Sequence, residues 1–163
     1  VPAVISGQVD AVMGAYWTHE TIIVEREGYP VDILRVEQWG VPDYYELVVV
    51  AGEATVADRP ELVTTFLRAT QRGYGDAIAD QTAALDALAA AYEGVEREVE
   101  TEGLRLLVPV WTDGVSAFGE QTAARWDAYA AWMKERALIP VDLDVAAAYT
   151  TALLPTSPAT PTA

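Results

Sequence analysis

Apolar residues recur along this chain in two rhythms, and the change of rhythm divides it. In the first third the apolar runs are short and dense. Val9 to Met13 is too short and too apolar for a helix, which predicts a strand or a buried segment. Before it, Gly7 suits the left-handed residue that stops a helix, and Asp10 can close the turn between. Thr18 to Glu27 predicts a helix, with Ile22, Ile23 and Arg26 at near-helical spacing and Gly28 as its stop. Beyond Pro30, Val31 to Val36 alternates as a strand does, and Trp39 to Asp43 is a turn by its glycine and proline. Tyr44 to Ala51 is dense in aromatic and β-branched residues and is the strongest strand candidate.

From Ala57 the rhythm becomes helical. Asp58-Arg-Pro60-Glu61 is a helix start, with an acidic cap and a proline in the first turn. Leu62, Phe66, Ala69 and Gly73 continue on one face as far as Ala79. Asp80 caps a second, alanine-rich helix over Ala83 to Tyr92. A third spans Val95 to Val108, with Gly103 as its weak point and Pro109 as its end. Trp111 to Gly114 is a turn. Glu120 to Arg136 is a long amphipathic helix with Ala124, Trp126, Tyr129, Ala130 and Met133 as candidate buried positions, and Val145 to Leu154 is a short last helix. Pro155 to Ala163 holds only Pro, Thr, Ser and Ala and is expected to be disordered. A strand-rich start and a helical remainder, without internal repeats, predict an α/β protein.

Composition narrows the function classes. The chain has 163 residues, the length of one ordinary domain, and its hydrophobic fraction of 52% is globular. No apolar run approaches the roughly 20 residues of a membrane span. A net charge of −15 repels phosphate backbones and argues against nucleic acid as a partner. The absence of cysteine removes disulfides, thiolate metal sites and cysteine nucleophiles from consideration. The chain opens on a valine, within a helix end that feeds a strand, so it is expected to be a fragment.

The candidate chemistry gathers at the opening. Tyr16, Trp17 and Glu20 would stand at the carboxyl end of the Val9–Met13 strand, where open α/β sheets bind small molecules, and Gly14 lets the backbone turn or lets a ligand approach. An aromatic face beside a fixed carboxylate suits a flat, hydrogen-bonding ring. A structural reading stands beside it, in which Trp17 covers the core and Glu20 favours the positive end of the following helix. His19 is the lone histidine and no G-x-S-x-G elbow accompanies it, so a nucleophile triad has no basis. Glu96, Glu98, Glu100 and Glu102 alternate along a helix and read as a solvated face, which leaves no metal site. Gly73-Tyr-Gly75 lies in a helical pattern without a lysine partner and is no phosphate loop. Nothing here demands an enzyme or a cofactor.

Four motifs nevertheless recur in a recognisable order: residues 6–17 (SGQVDAVMGAYW), 27–30 (EGYP), 39–47 (WGVPDYYEL), and Phe118-Gly119 with Arg125-Trp126 and the run 132–139 (WMKERALI). Together they resemble the later half of the substrate-binding proteins that serve uptake of thiamine pyrimidine precursors, periplasmic-binding-protein-like relatives of the fungal thiamine pyrimidine synthase. The resemblance covers nearly the whole chain except the tail. It implies an α/β, type II periplasmic-binding-protein fold of two lobes, with residues 1–43 ending the second lobe and residues 44–154 forming a hinge strand and first-lobe helices. Ligand residues implied by it are Gly14, Tyr16, Trp17 and Glu20, with Trp17 stacked on the heterocycle and Glu20 accepting from an exocyclic amine. Tyr44, near the hinge, is a weaker candidate, as is Tyr45.

The implied role is the solute-binding component of an ABC importer, with a small heterocyclic ligand, an ABC transporter membrane subunit as partner, and an extracellular or periplasmic, membrane-anchored setting. The alternatives are a pyrimidine synthase-like enzyme and a truncated remnant that survives as a homodimer. One departure bears on the enzyme. The fungal synthase has a cysteine-rich segment where this chain has Val41 to Glu46, and the chain has no cysteine.

Overall fold

Alanine-rich and amphipathic stretches become helices in the computed structural model, which describes residues 1–111, 113 and 118–155. In chain order these are α1 (Pro2–Ile5), α2 (Glu20–Arg26), α3 (Glu53–Asp58), α4 (Pro60–Ala79), α5 (Gln81–Ala91), α6 (Arg97–Trp111) and α7 (Ala123–Glu135). Single 3-10 turns lie at Val36–Trp39 and Val145–Ala147. The described residues of Val1–Ile33 and Gly75–Gly114 form one compact unit, and those of Leu34–Tyr74 and Val115–Ala163 a second.

In the first unit α6 packs against both α2 and α5. Its core is Ile22 and Val24 of α2, Leu85 of α5 and Val99 of α6, the last only 1% exposed. Asp80 caps α5 as expected, its Oδ1 accepting the Ala83 N–H at 3.0 Å, and Gly28 follows α2 at φ 89°, a conformation that suits a residue without a side chain. Arg97 pairs with Asp86 at 2.6 Å between α6 and α5. The glutamates of α6 lie toward solvent as expected, Glu98 with 75% of its side chain exposed, and three of the four expected there are paired. Glu98 meets Arg26 of α2, Glu100 meets His19 at 3.5 Å, and Glu102 pairs with Arg105 on its own helix at 2.5 Å. Of these partners Arg26 lies on α2, His19 directly precedes it and Arg105 belongs to α6 itself. α6 also runs through Pro109 to Trp111, because a proline in the last turns removes a single N–H.

In the second unit α7 packs against the Val145–Ala147 turn, and Lys134 Nζ donates to the Leu143 carbonyl at 2.8 Å. Ala130 is the buried residue of α7, whereas Ala124 is exposed. The inward face of α4 lies one residue on from the expected one. Leu62 and Phe66 are exposed, and Val63, Leu67, Gln71 and Tyr74 are half-buried. The cause is a contact distant in sequence: Gln71 Nε2 donates to the Phe118 carbonyl at 3.1 Å and the Tyr74 ring stacks on Phe118, which turns that row inward.

The expected strands are absent among the described residues. Val9 to Met13, Val31 to Leu34 and Tyr44 to Ala51 are irregular, and Met13, Leu47 and Val50 are 96%, 81% and 86% exposed. A strand is stable only when its backbone groups are paired along a ladder and one face is covered. No described segment is laddered to any of these three. The expected last helix, Val145 to Leu154, shortens to one 3-10 turn capped by Asp144, because the Thr150 hydroxyl takes the Ala152 N–H at 3.2 Å and offers the backbone another conformation. α3 was not expected. Residues 112 and 114 of the turn at Trp111 to Gly114, and the tail beyond Pro155, lie outside the described residues.

Candidate functional site

The segment from Gly14 to Glu20 forms a hydrogen-bonded turn that leads into α2. Gly14 takes φ 85°, the left-handed region where a side chain is disfavoured, and no atom lies within 4 Å of where its Cβ would stand. The His19 N–H donates to the Tyr16 carbonyl at 3.1 Å, and the Thr21 hydroxyl donates to the Trp17 carbonyl at 2.7 Å. Glu20, the first residue of α2, reaches back so that its Oε2 accepts the Tyr16 N–H at 2.9 Å. Backbone donors ahead of a helix are left unpaired by the helix itself, and a carboxylate there satisfies one of them. Among the described residues only the Tyr16 N–H bonds to Glu20, through Oε2, so Oε1 has no donor among them.

Exposure grades through this turn. Tyr16 is 43% exposed, Trp17 and Glu20 are half-buried, and Thr18 is buried against α6. Four of the residues expected to touch a ligand, Gly14, Tyr16, Trp17 and Glu20, thus share one turn of the first unit. The structural role foreseen for Glu20 is present as well, since one carboxylate oxygen holds the turn. Among the described residues no three His, Asp or Glu side chains gather as a metal site.

Tyr44 lies in the second unit, where its ring stacks on Tyr129 with 4.6 Å between centroids. It is part of an aromatic network on α7 that sequence reasoning did not foresee as a whole. Tyr129 continues to Trp132 at 5.8 Å, and Trp126 stacks on Tyr149 at 4.9 Å. Tyr45 leans on Trp126, accepts the Thr122 N–H at 2.9 Å with its hydroxyl, and lies beneath the Arg125 guanidinium. Arg136 stands over the Trp132 ring at 4.4 Å. The readable signal was the spacing of Trp126, Tyr129 and Trp132, three residues apart on one helix face. Partners for that face, Tyr44, Tyr45 and Tyr149, come from segments distant in sequence.

A family profile described as NMT1/THI5 like matches residues 1–84. The chain is 31% identical over 135 residues to the formylaminopyrimidine-binding protein of Halalkalibacterium halodurans, covering 80% of this chain and 41% of that protein. It is 29% identical over 143 residues to a putative thiamine biosynthesis protein of Haemophilus influenzae, covering 85% and 43%. It is 27% identical over 166 residues to the riboflavin-binding protein RibY of Chloroflexus aurantiacus, covering 94% and 44%. The chain therefore spans about two fifths of the length of the curated relatives it matches. With half of its length matched by one family profile, the chain belongs to the NMT1/THI5-like family.

Proposed function

We propose that this chain is part of a solute-binding protein that captures a small heterocycle for an ABC importer, with a formylated aminopyrimidine precursor of thiamine as the first ligand. The observation that carries the reading is the turn Tyr16–Glu20. It offers an indole and a phenol beside a carboxylate of which one oxygen is fixed by the Tyr16 N–H and the other has no described partner. A half-buried indole supplies a face for a flat ring, and an ionised acceptor makes the stronger kind of hydrogen bond to an exocyclic amine. Two relatives named for binding a pyrimidine and a flavin support a flat ring over an aliphatic sulfonate.

The proposal extends to architecture and setting. Residues 9–13, 31–36 and 44–51, largely irregular here, would ladder as strands of a type II periplasmic-binding-protein sheet once the neighbouring strands of such a fold stand beside them. The setting is extracellular or periplasmic. No described helix is long and apolar enough to cross a membrane.

Thermal shift against a formylated aminopyrimidine, riboflavin and an alkyl sulfonate tests the reading, with Trp17→Ala and Glu20→Ala as controls. A ligand that binds only the native state raises the melting temperature. A rise with the pyrimidine that disappears in both variants supports the reading. A rise retained in both variants moves the site elsewhere, and no rise with any of the three overturns binding by this chain.

A further inference from the structure

We propose that Gly103 is the positioning residue of the ligand turn: by presenting bare backbone to the Thr18 carbonyl, α6 sets the depth at which Trp17 and Glu20 stand. This rests on the ligand reading of that turn. Glycine is disfavoured in a helix interior, so its presence there calls for a reason. At Gly73 and Gly75 of α4 nothing lies within 4 Å of a Cβ, and no steric reason exists. At Gly103 a Cβ would fall well inside 3.0 Å of the Thr18 carbonyl oxygen and 3.6 Å from its carbon.

The obstacle is backbone, which cannot rotate aside as a side chain does. An ordinary approach of carbon to a carbonyl oxygen is about 3.3 to 3.6 Å, so any side chain at 103 moves Thr18 by roughly 1 Å. Thr18 does not move alone. The residues on either side of it are joined by the Tyr16 N–H to Glu20, the His19 N–H to Tyr16 and the Thr21 hydroxyl to Trp17. One helical turn from Gly103, Val99 is buried, and on its other side α6 packs on α5 with Arg97 paired to Asp86, so α6 is held beneath the turn and the turn must yield. A displacement of that size takes the fixed carboxylate and the indole off a shared ligand together.

The test compares Gly103→Ala with Gly73→Ala in the 163-residue chain. Amide proton and nitrogen shifts of Tyr16 and Glu20 report the turn, and titration with a formylated aminopyrimidine reports the site. Gly103→Ala is expected to move both amides and to weaken binding by about tenfold or more, while Gly73→Ala changes neither. Unmoved amides, or equal affinity with moved amides, overturns the proposal. If the wild-type chain binds no pyrimidine, the functional reading falls, and the amide shifts still decide whether Gly103 places the turn. If Gly103→Ala does not fold, the wild-type chain decides: a nuclear Overhauser contact between the Gly103 α-protons and the Thr18–His19 backbone supports the close approach, and its absence overturns it.

Discussion

The Leu138 N–H donates to the Met133 carbonyl at 2.9 Å, and this bond closes α7. Inside it the Ala137 N–H donates to the Lys134 carbonyl at 3.0 Å, the paired pattern of a helix that ends through a left-handed residue. That residue is Ala137, at φ 55°, among the described residues the one non-glycine with positive φ. A Cβ in that conformation crowds the following carbonyl and costs about 1 kcal/mol. Ala137→Gly is therefore expected to stabilise the chain by roughly that amount, partly offset by the greater freedom of glycine in the unfolded state. The midpoint of urea denaturation checks it. A lower midpoint would mean that unfolded-state entropy outweighs the relief.

Tyr44 and Tyr129 lie 16° from parallel, close enough for an offset stack. Aromatic pairs of this kind are worth about 1 kcal/mol beyond the area they bury. A double-mutant cycle of Tyr44→Ala and Tyr129→Ala is expected to give a coupling energy of about that size, since both variants remove the same contact. Additive losses would show that the two rings are held independently, Tyr129 by Trp132 and Tyr44 by its other neighbours.

How much of this was legible in the sequence depends on whether a signal was local. The helix starts at Pro60, the Asp80 cap and the Gly28 stop were readable because each acts within four residues. The strands were not confirmed, because a β-branched run such as Tyr44 to Ala51 needs a paired neighbour and none is laddered to it among the described residues. The face of α4 was read one residue out, since Gln71 and Tyr74 are turned inward by Phe118, 44 to 47 positions away. The partners of Glu98 and Glu100 were hidden for the same reason: Arg26 on α2 and His19 just before it lie far away in sequence. In the candidate site, the clustering of Tyr16, Trp17 and Glu20 followed from adjacency, whereas the backbone bond that fixes Glu20 and the fit of Gly103 against Thr18 are tertiary facts.

Glu102 titrates below its ordinary value of 4.5, because Arg105 donates hydrogen bonds to it from Nε at 3.1 Å and from its terminal nitrogen at 2.5 Å. The same pair raises Arg105. A carboxyl lowered in the folded state contributes stability above its unfolded pKa, and loses it as pH falls through the folded one. Both groups face solvent, so the effect on stability is slight and screened by salt. Arg105→Ala is expected to return the Glu102 titration toward 4.5, followed by the side-chain carboxyl carbon shift. An unchanged titration would assign the lowering to another neighbour.

Glu20 holds the turn and, in the proposed function, the ligand, and one substitution separates the two. In Glu20→Gln the side-chain carbonyl still accepts the Tyr16 N–H, so the turn and the start of α2 persist, while the negative charge offered to an exocyclic amine is gone. The atom offered to the ligand also becomes an amide NH2, which cannot accept from an exocyclic amine, so the bond, worth about 1.5 to 3 kcal/mol with a charged acceptor, is lost and affinity for an aminopyrimidine is expected to fall by about tenfold or more. Melting temperature without ligand should change little. Calorimetric titration measures the first and a thermal melt the second. Equal affinity in both forms would confine Glu20 to the structural role that its bond to Tyr16 already gives it, and a lower melting temperature without ligand would show that its charge, beyond its geometry, stabilises the start of α2.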